Sequence, residues 1–125
     1  MKYLSTRDKT LHLSAAEAIK MGLSRDGGLF TPERFPSLTE EEIRSLCPMT
    51  YQQRAALVMG KFLDDFTAEE LESFAASAYS EEKFDTPAVA PLRQVGGSTW
   101  CLELWHGRTS AFKDMALQML PLLLS

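Results

Sequence analysis

The 125-residue chain has only two cysteines, Cys47 and Cys101. They lie far apart, with no Cys-x-x-Cys pair or Cys/His cluster, which excludes a zinc knuckle and a disulfide framework; both are expected as buried thiols. Histidine is as scarce, and His12, set between Leu11 and Leu13, reads as a structural residue. Basic charge is also short: 13 Lys and Arg against 17 Asp and Glu leave a net charge of −4. No basic patch stands out, which argues against nucleic acid and anionic membrane as partners. Long apolar runs are missing too. Met115 to Leu124 is shorter than the roughly 20 residues of a membrane span, and Pro121 interrupts it. Met1 to Asp8 lacks the apolar core of a signal peptide, so a cytoplasmic location is expected.

Helix-start signals organise the first part of the chain. Ser14 with Glu17, Thr39 with Glu42, Thr50 with Gln53 and Thr67 with Glu70 each have the spacing of a capping box, predicting four helices. Leu38 with Ile43 and Phe66 with Leu71 are placed as hydrophobic staples. Apolar stripes follow at helical spacing: Ala15, Ala18 and Ile19 before a stop at Gly22; Ala55, Val58, Met59, Phe62 and Leu63; and Leu71, Phe74, Ala75 and Ala78. These read as a helical core. The run Glu40-Glu41-Glu42 suits a solvated first turn, not a metal site.

Extended segments flank the helices. Tyr3 to Ser5 and Leu11 to Leu13 suit a short hairpin or edge pair, with Gly27-Gly28 turning the chain into Leu29-Phe30. Asp85 to Pro91 carries two prolines and no helical period, and reads as the linker into a second domain. Leu92 to Val95, a Gly96-Gly97-Ser98-Thr99 turn and Trp100 to Trp105 then predict a hairpin or two consecutive strands. Alternation places Glu103 on a largely apolar face, either paired with a cation supplied by a part of the protein outside this chain or at an edge.

From Leu102 to Asp114 the pattern is strand, loop of small and polar residues, then a helix opening near Lys113. A cation there faces the positive end of the helix dipole, which favours a neutral, nucleophilic amine. The competing reading is an ordinary surface lysine in a first turn.

The segment Leu-Glu-Leu-Trp-His-Gly-Arg-Thr-Ser-Ala-Phe-Lys-Asp-Met-Ala-Leu-Gln, Leu102 to Gln118, resembles the stretch around the cofactor-binding lysine of threonine synthases, which are fold-type II pyridoxal-phosphate enzymes. Tyr3-Leu4-Ser5-Thr6-Arg7 is similar to that family's Tyr-x-Ser-Thr-Arg opening. Asp26-Gly27-Gly28-Leu29-Phe30-Thr31-Pro32 is similar to its Gly-Gly-Leu-Phe-x-Pro signature. Three separated motifs in one order make the resemblance specific. The chain departs from the common pattern at Arg108, where the family usually has proline, and at Ser110, often apolar there.

The resemblance implies an α/β fold: a mostly helical N-terminal domain with a few short strands over residues 1–86, then the first strand and helix of a pyridoxal-phosphate domain over 87–125. It implies pyridoxal 5'-phosphate as cofactor of the full-length protein, not expected to be bound by this portion alone, O-phospho-L-homoserine as substrate, and a lyase reaction giving L-threonine and phosphate in the last step of threonine biosynthesis. Lys113 would be the catalytic and cofactor-binding residue, with Phe112 packed beside the cofactor. Thr109, Ser110 and His106 are candidate substrate contacts. N-capping competes for Thr109 and Ser110, and shaping of the loop backbone for His106. Asp114 is expected to cap the helix, with holding Lys113 as the alternative. Such enzymes are several times longer, so the chain is expected to be an N-terminal portion that is inactive alone and self-associates through an uncovered apolar C-terminal helix. A phospho-lyase that omits hydration and a non-catalytic helical interaction module are the alternative functions.

Overall fold

The computed structural model describes residues 1–125. All four predicted capping boxes form, at Ser14, Thr39, Thr50 and Thr67. They open helices α1 (Ala15–Met21), α2 (Glu40–Leu46), α3 (Tyr51–Gly60) and α4 (Ala68–Ala78). In each, the hydroxyl accepts from the amide three residues on, and the Glu or Gln side chain accepts in return from the cap's own N–H, so two donors of the first turn are satisfied locally. Gly22, at φ 72°, ends α1.

The N-terminal sheet has three antiparallel strands in the order β2-β1-β3, with β1 (Tyr3–Ser5) between β2 (His12–Leu13) and β3 (Phe30–Pro32). The Tyr3 hydroxyl donates to the Phe62 carbonyl at 2.9 Å, and Ala16 N–H to Asp65 at 2.8 Å, tying this sheet and α1 to the chain after α3. His12 lies exposed, because a two-residue edge strand has nothing packed over that face; the expected structural role does not hold.

The core is built on α4. Leu71, Ala75 and Ala78 are buried with Ala56 of α3, followed by Tyr79, Phe84, Val89 and Met119. The stripe of α3 is rotated from expectation: Ala56 is its buried residue, while Val58 is 38% exposed. Leu71 approaches α3 on the side of Ala56 and Gly60, which sets which face turns inward. Of the two staples, Phe66 packs against the core that contains Leu71, whereas Ile43 is half exposed.

The segment expected as a linker is docked: Val89 is 1% exposed and belongs to the core. Beyond it, β4 (Leu92–Gly96) and β5 (Thr99–Leu102) form a hairpin, one of the two arrangements expected, with Gly96 and Thr99 inside the strands and a register shift between Gln94 and Gly96. The second strand stops at Leu102, short of Trp105, because the ladder with β4 begins at Leu92; beyond it only the Glu103 N–H still reaches that side, donating to the Pro91 carbonyl at 3.0 Å. Every hairpin residue is exposed, Cys101 included; Cys47 is exposed as well, so neither thiol is buried as expected. In place of one C-terminal helix the chain forms two short ones, α5 (Asp114–Leu117) and α6 (Leu120–Leu123), with Pro121 in the first turn of α6. Met119 is buried and Leu122 and Leu123 pack on the core, leaving Leu117, Leu120 and Leu124 exposed. No helix is long and apolar enough to cross a membrane.

Candidate active site

Lys113 occupies the N-cap position of α5, at the end of a loop that leaves β5. Its amine is exposed and enters no ion pair or hydrogen bond. The helix that follows is a single turn, too short for much of a macrodipole to accumulate, so the electrostatic case for a nucleophilic amine there is weaker than the sequence suggested. What distinguishes Lys113 is how firmly the backbone around it is held.

The loop is pinned from three sides. At its root, Phe84 and Gly107 form an antiparallel bridge, and Asp85 N–H donates to the His106 carbonyl at 3.1 Å. In its middle, the Asp114 carboxylate, 1% exposed, accepts from Thr109 N–H at 2.8 Å and from the Thr109 hydroxyl at 3.0 Å. Gly107 lies against this carboxylate so closely that a Cβ there would sit 2.5 Å from the Asp114 Cβ. Beneath, the buried Tyr79 hydroxyl donates to the Met115 carbonyl at 2.9 Å. Burial, with the neighbouring Tyr51 hydroxyl, pushes the Tyr79 phenol up to about 12, so it remains a donor.

Asp114 therefore neither caps α5 nor holds Lys113; no side-chain cap is present, and the carboxylate clasps the preceding loop instead. Thr109 spends its hydroxyl on that clasp. Ser110 is exposed and held at φ 55°, a left-handed conformation uncommon for serine. Phe112 is 67% exposed and lines an open, largely apolar cleft of about 1060 Å³ with Tyr51, Met59, Leu102, Leu104 and Met115. Lys113 does not line this cleft, though its chain neighbour Phe112 does. His106 is engaged at both ring nitrogens, Nδ1 with Asp85 at 2.6 Å and Nε2 with Glu103 at 2.8 Å. The cation for Glu103 therefore does not have to come from outside this chain: Arg93 stands at 3.6 Å, and His106 is a second when its ring is protonated.

Asp85 and Tyr79 were not singled out in the sequence. Tyr79 follows the last periodic residue of α4, and a large aromatic there is a legible hint of a core plug; nothing local marks Asp85 as a partner of His106.

The family model described as Threonine synthase N terminus matches residues 2–79. The chain belongs to the threonine synthase family. A threonine synthase of Pseudomonas aeruginosa is 42% identical over 125 residues, an alignment that takes in 99% of this chain and 26% of that protein. Human threonine synthase-like 1 is 39% identical over 109 residues, 85% of this chain and 14% of that protein. Among solved structures, the pyridoxal-phosphate-bound threonine synthase of Brucella melitensis superposes with a TM-score of 0.91 at 39% identity, covering 99% of this chain and 26% of that one. The chain thus spans about a quarter of the length of the threonine synthases it matches. The mixed helices and small sheets of the fold agree with that structure.

Proposed function

We propose that this chain is the N-terminal part of a threonine synthase that converts O-phospho-L-homoserine and water to L-threonine and phosphate, with Lys113 as the covalent anchor of pyridoxal 5'-phosphate. Residues 1–86 would form the N-terminal domain and residues 87–125 the start of the cofactor domain. The supporting observation is an exposed, unpaired lysine within the family-like segment, on a loop that is held from three sides and whose Phe112 lines an apolar cleft. A free primary amine suits the aldehyde end of the cofactor, so the residues present fit that end. The cleft walls are mostly apolar and offer no cradle for its phosphate, which accords with a chain that is inactive alone.

Pyridoxal phosphate, when bound, supplies an electron-withdrawing ring that lets carbon-bound hydrogens of the substrate leave as protons. Lys113 Nζ would hold the cofactor and, once freed, carry protons between substrate carbons. Phe112 would cover one side of the amine and exclude water. The Ser110 hydroxyl, on an exposed residue and in no hydrogen bond, is the freer candidate for substrate contact, Thr109 being committed to Asp114. Location in the cytoplasm belongs to the same reading, as does self-association through the exposed Leu117, Leu120 and Leu124. One second reading keeps the cofactor and Lys113 but changes the reaction: a phospho-lyase that releases phosphate without hydration.

Borohydride reduction in the presence of pyridoxal phosphate, followed by peptide mapping, tests the anchor. Selective labelling of Lys113 among the six lysines is expected, and scattered labelling would count against it. For a longer protein containing this chain, O-phosphohomoserine should yield threonine and phosphate, with neither formed by Lys113→Ala. A keto acid and ammonia in place of threonine would indicate the phospho-lyase.

A further inference from the structure

His106 sits at the root of the Lys113 loop with a carboxylate oxygen at each ring nitrogen, Asp85 at 2.6 Å and Glu103 at 2.8 Å. An ionised carboxylate only accepts, and a neutral imidazole has one N–H to give. Both contacts are satisfied together only by the imidazolium. The charges agree: Glu103 also faces Arg93 of β4 at 3.6 Å, so two carboxylates and two cations form a neutral cluster when His106 is charged. The ring is held further by stacking on Trp105, with centroids 5.5 Å apart, and its side chain is 14% exposed.

The cluster joins three separate pieces of chain: Asp85 after α4, Arg93 on β4, and Glu103 with His106 after β5. Backbone contacts reinforce the same point, since Asp85 N–H donates to the His106 carbonyl and Phe84 bridges Gly107. Loss of the ring proton would leave a nitrogen lone pair facing a carboxylate oxygen at hydrogen-bond distance, turning attraction to repulsion where the loop departs.

We propose that His106 is a positioning residue for Lys113: its imidazolium, held between Asp85 and Glu103, clamps the root of the 107–113 loop, and loss of that proton releases it. The proposal rests on the reading of Lys113 as the reactive amine. The hydrogen bonds with Glu103 and Asp85 raise the His106 pKa above its ordinary value, against an opposing effect of desolvation. The clamp is therefore complete below the ordinary histidine value and is lost as pH rises through the raised one.

The test uses this chain in isotope-labelled form. The ring resonances of His106 are titrated, amide exchange is followed from Gly107 to Asp114, and borohydride-trapped labelling of Lys113 by pyridoxal phosphate is measured against the exposed Lys20 over the same pH range. His106 is expected to titrate above the ordinary histidine range. Amide exchange, corrected for its intrinsic pH dependence, should quicken several-fold across that transition, and the Lys113-to-Lys20 labelling ratio should bend at the same pH. Asp85→Asn should move the bend to lower pH, and His106→Gln should abolish it. An ordinary His106 titration, or exchange and labelling ratio both flat through it, would overturn the clamp. Amides that respond while Lys113 stays unlabelled at every pH, both in this chain and in a longer protein containing it, would leave the clamp standing and sink the reading of Lys113 as the reactive amine.

Discussion

Two clasps of the same design lie in distant parts of the sequence. In the N-terminal sheet, Asp26 accepts from the Ser5 hydroxyl at 2.8 and 2.9 Å and from Gly28 N–H at 2.8 Å, and a Cβ on Gly28 would come within 2.2 Å of that hydroxyl. In the lysine loop, Asp114 accepts from the Thr109 hydroxyl and N–H, with Gly107 pressed against it. Each clasp combines a carboxylate, a hydroxyl, a backbone donor and a glycine with no room for a side chain. They differ in which partner is buried: Ser5 in the first, with Asp26 exposed, and Asp114 itself in the second, with Thr109 exposed. Water can replace a partner lost from an exposed carboxylate, but not one lost from a buried carboxylate, so one design carries unequal energetic weight.

The sharpest way to break the comparison is Asp114→Ala, which leaves the Thr109 N–H without its charged acceptor and empties a buried position. A loss of about 3 kcal/mol in urea unfolding is expected, with faster amide exchange from Gly107 to Lys113. Next comes Gly107→Ala, expected to cost about 2 kcal/mol by overpacking, because the obstructing atom is the Asp114 Cβ, anchored next to the backbone. Gly28→Ala should cost less, since the Ser5 hydroxyl can rotate away at the loss of its bond to Asp26. If the two glycine variants are equal in thermal melts, burial is not what separates the clasps. Ser5→Ala should cost about 1 kcal/mol, the net value of a hydroxyl hydrogen bond, and leave loop exchange near Lys113 unchanged.

The smallest effect is in pH dependence. The hydrogen bond from Gly28 N–H, opposed by desolvation and aided by Ser5, holds the Asp26 carboxyl below its ordinary value of 3.8. Its contribution is thus present above that value and fades as pH falls through the lowered one. Asp26→Asn should flatten that part of the acid limb of a stability-against-pH curve without moving the neutral plateau's slope; an unchanged acid limb would show that the clasp adds nothing to folding.

The two regions were also unequally legible. Each helix start in the first part is closed by residues three apart, Ser14 with Glu17 through Thr67 with Glu70, so the pattern is complete within a short window and all four appeared where expected. The strands Tyr3–Ser5 and Phe30–Pro32 lay inside motifs that could be recognised, and the hairpin was announced by its glycines. Burial was harder to read. Cys47, Cys101 and His12 looked like interior residues from their neighbours alone, yet what covers a residue depends on packing partners that local sequence does not name. The same holds for Val89, which sits in a proline-flanked stretch and still plugs the core.

The sequence by itself determined the four capped helix starts, the turn of the hairpin and the family, because capping, turn chemistry and motif order operate between near neighbours along the chain. Only the tertiary structure decided that Asp114 clasps Thr109 instead of capping its helix, and that His106 stands between two carboxylates. A side chain takes whichever partner the fold leaves within hydrogen-bond reach. For the lysine loop those partners include residues as distant as Tyr79, brought close only when α4 is packed.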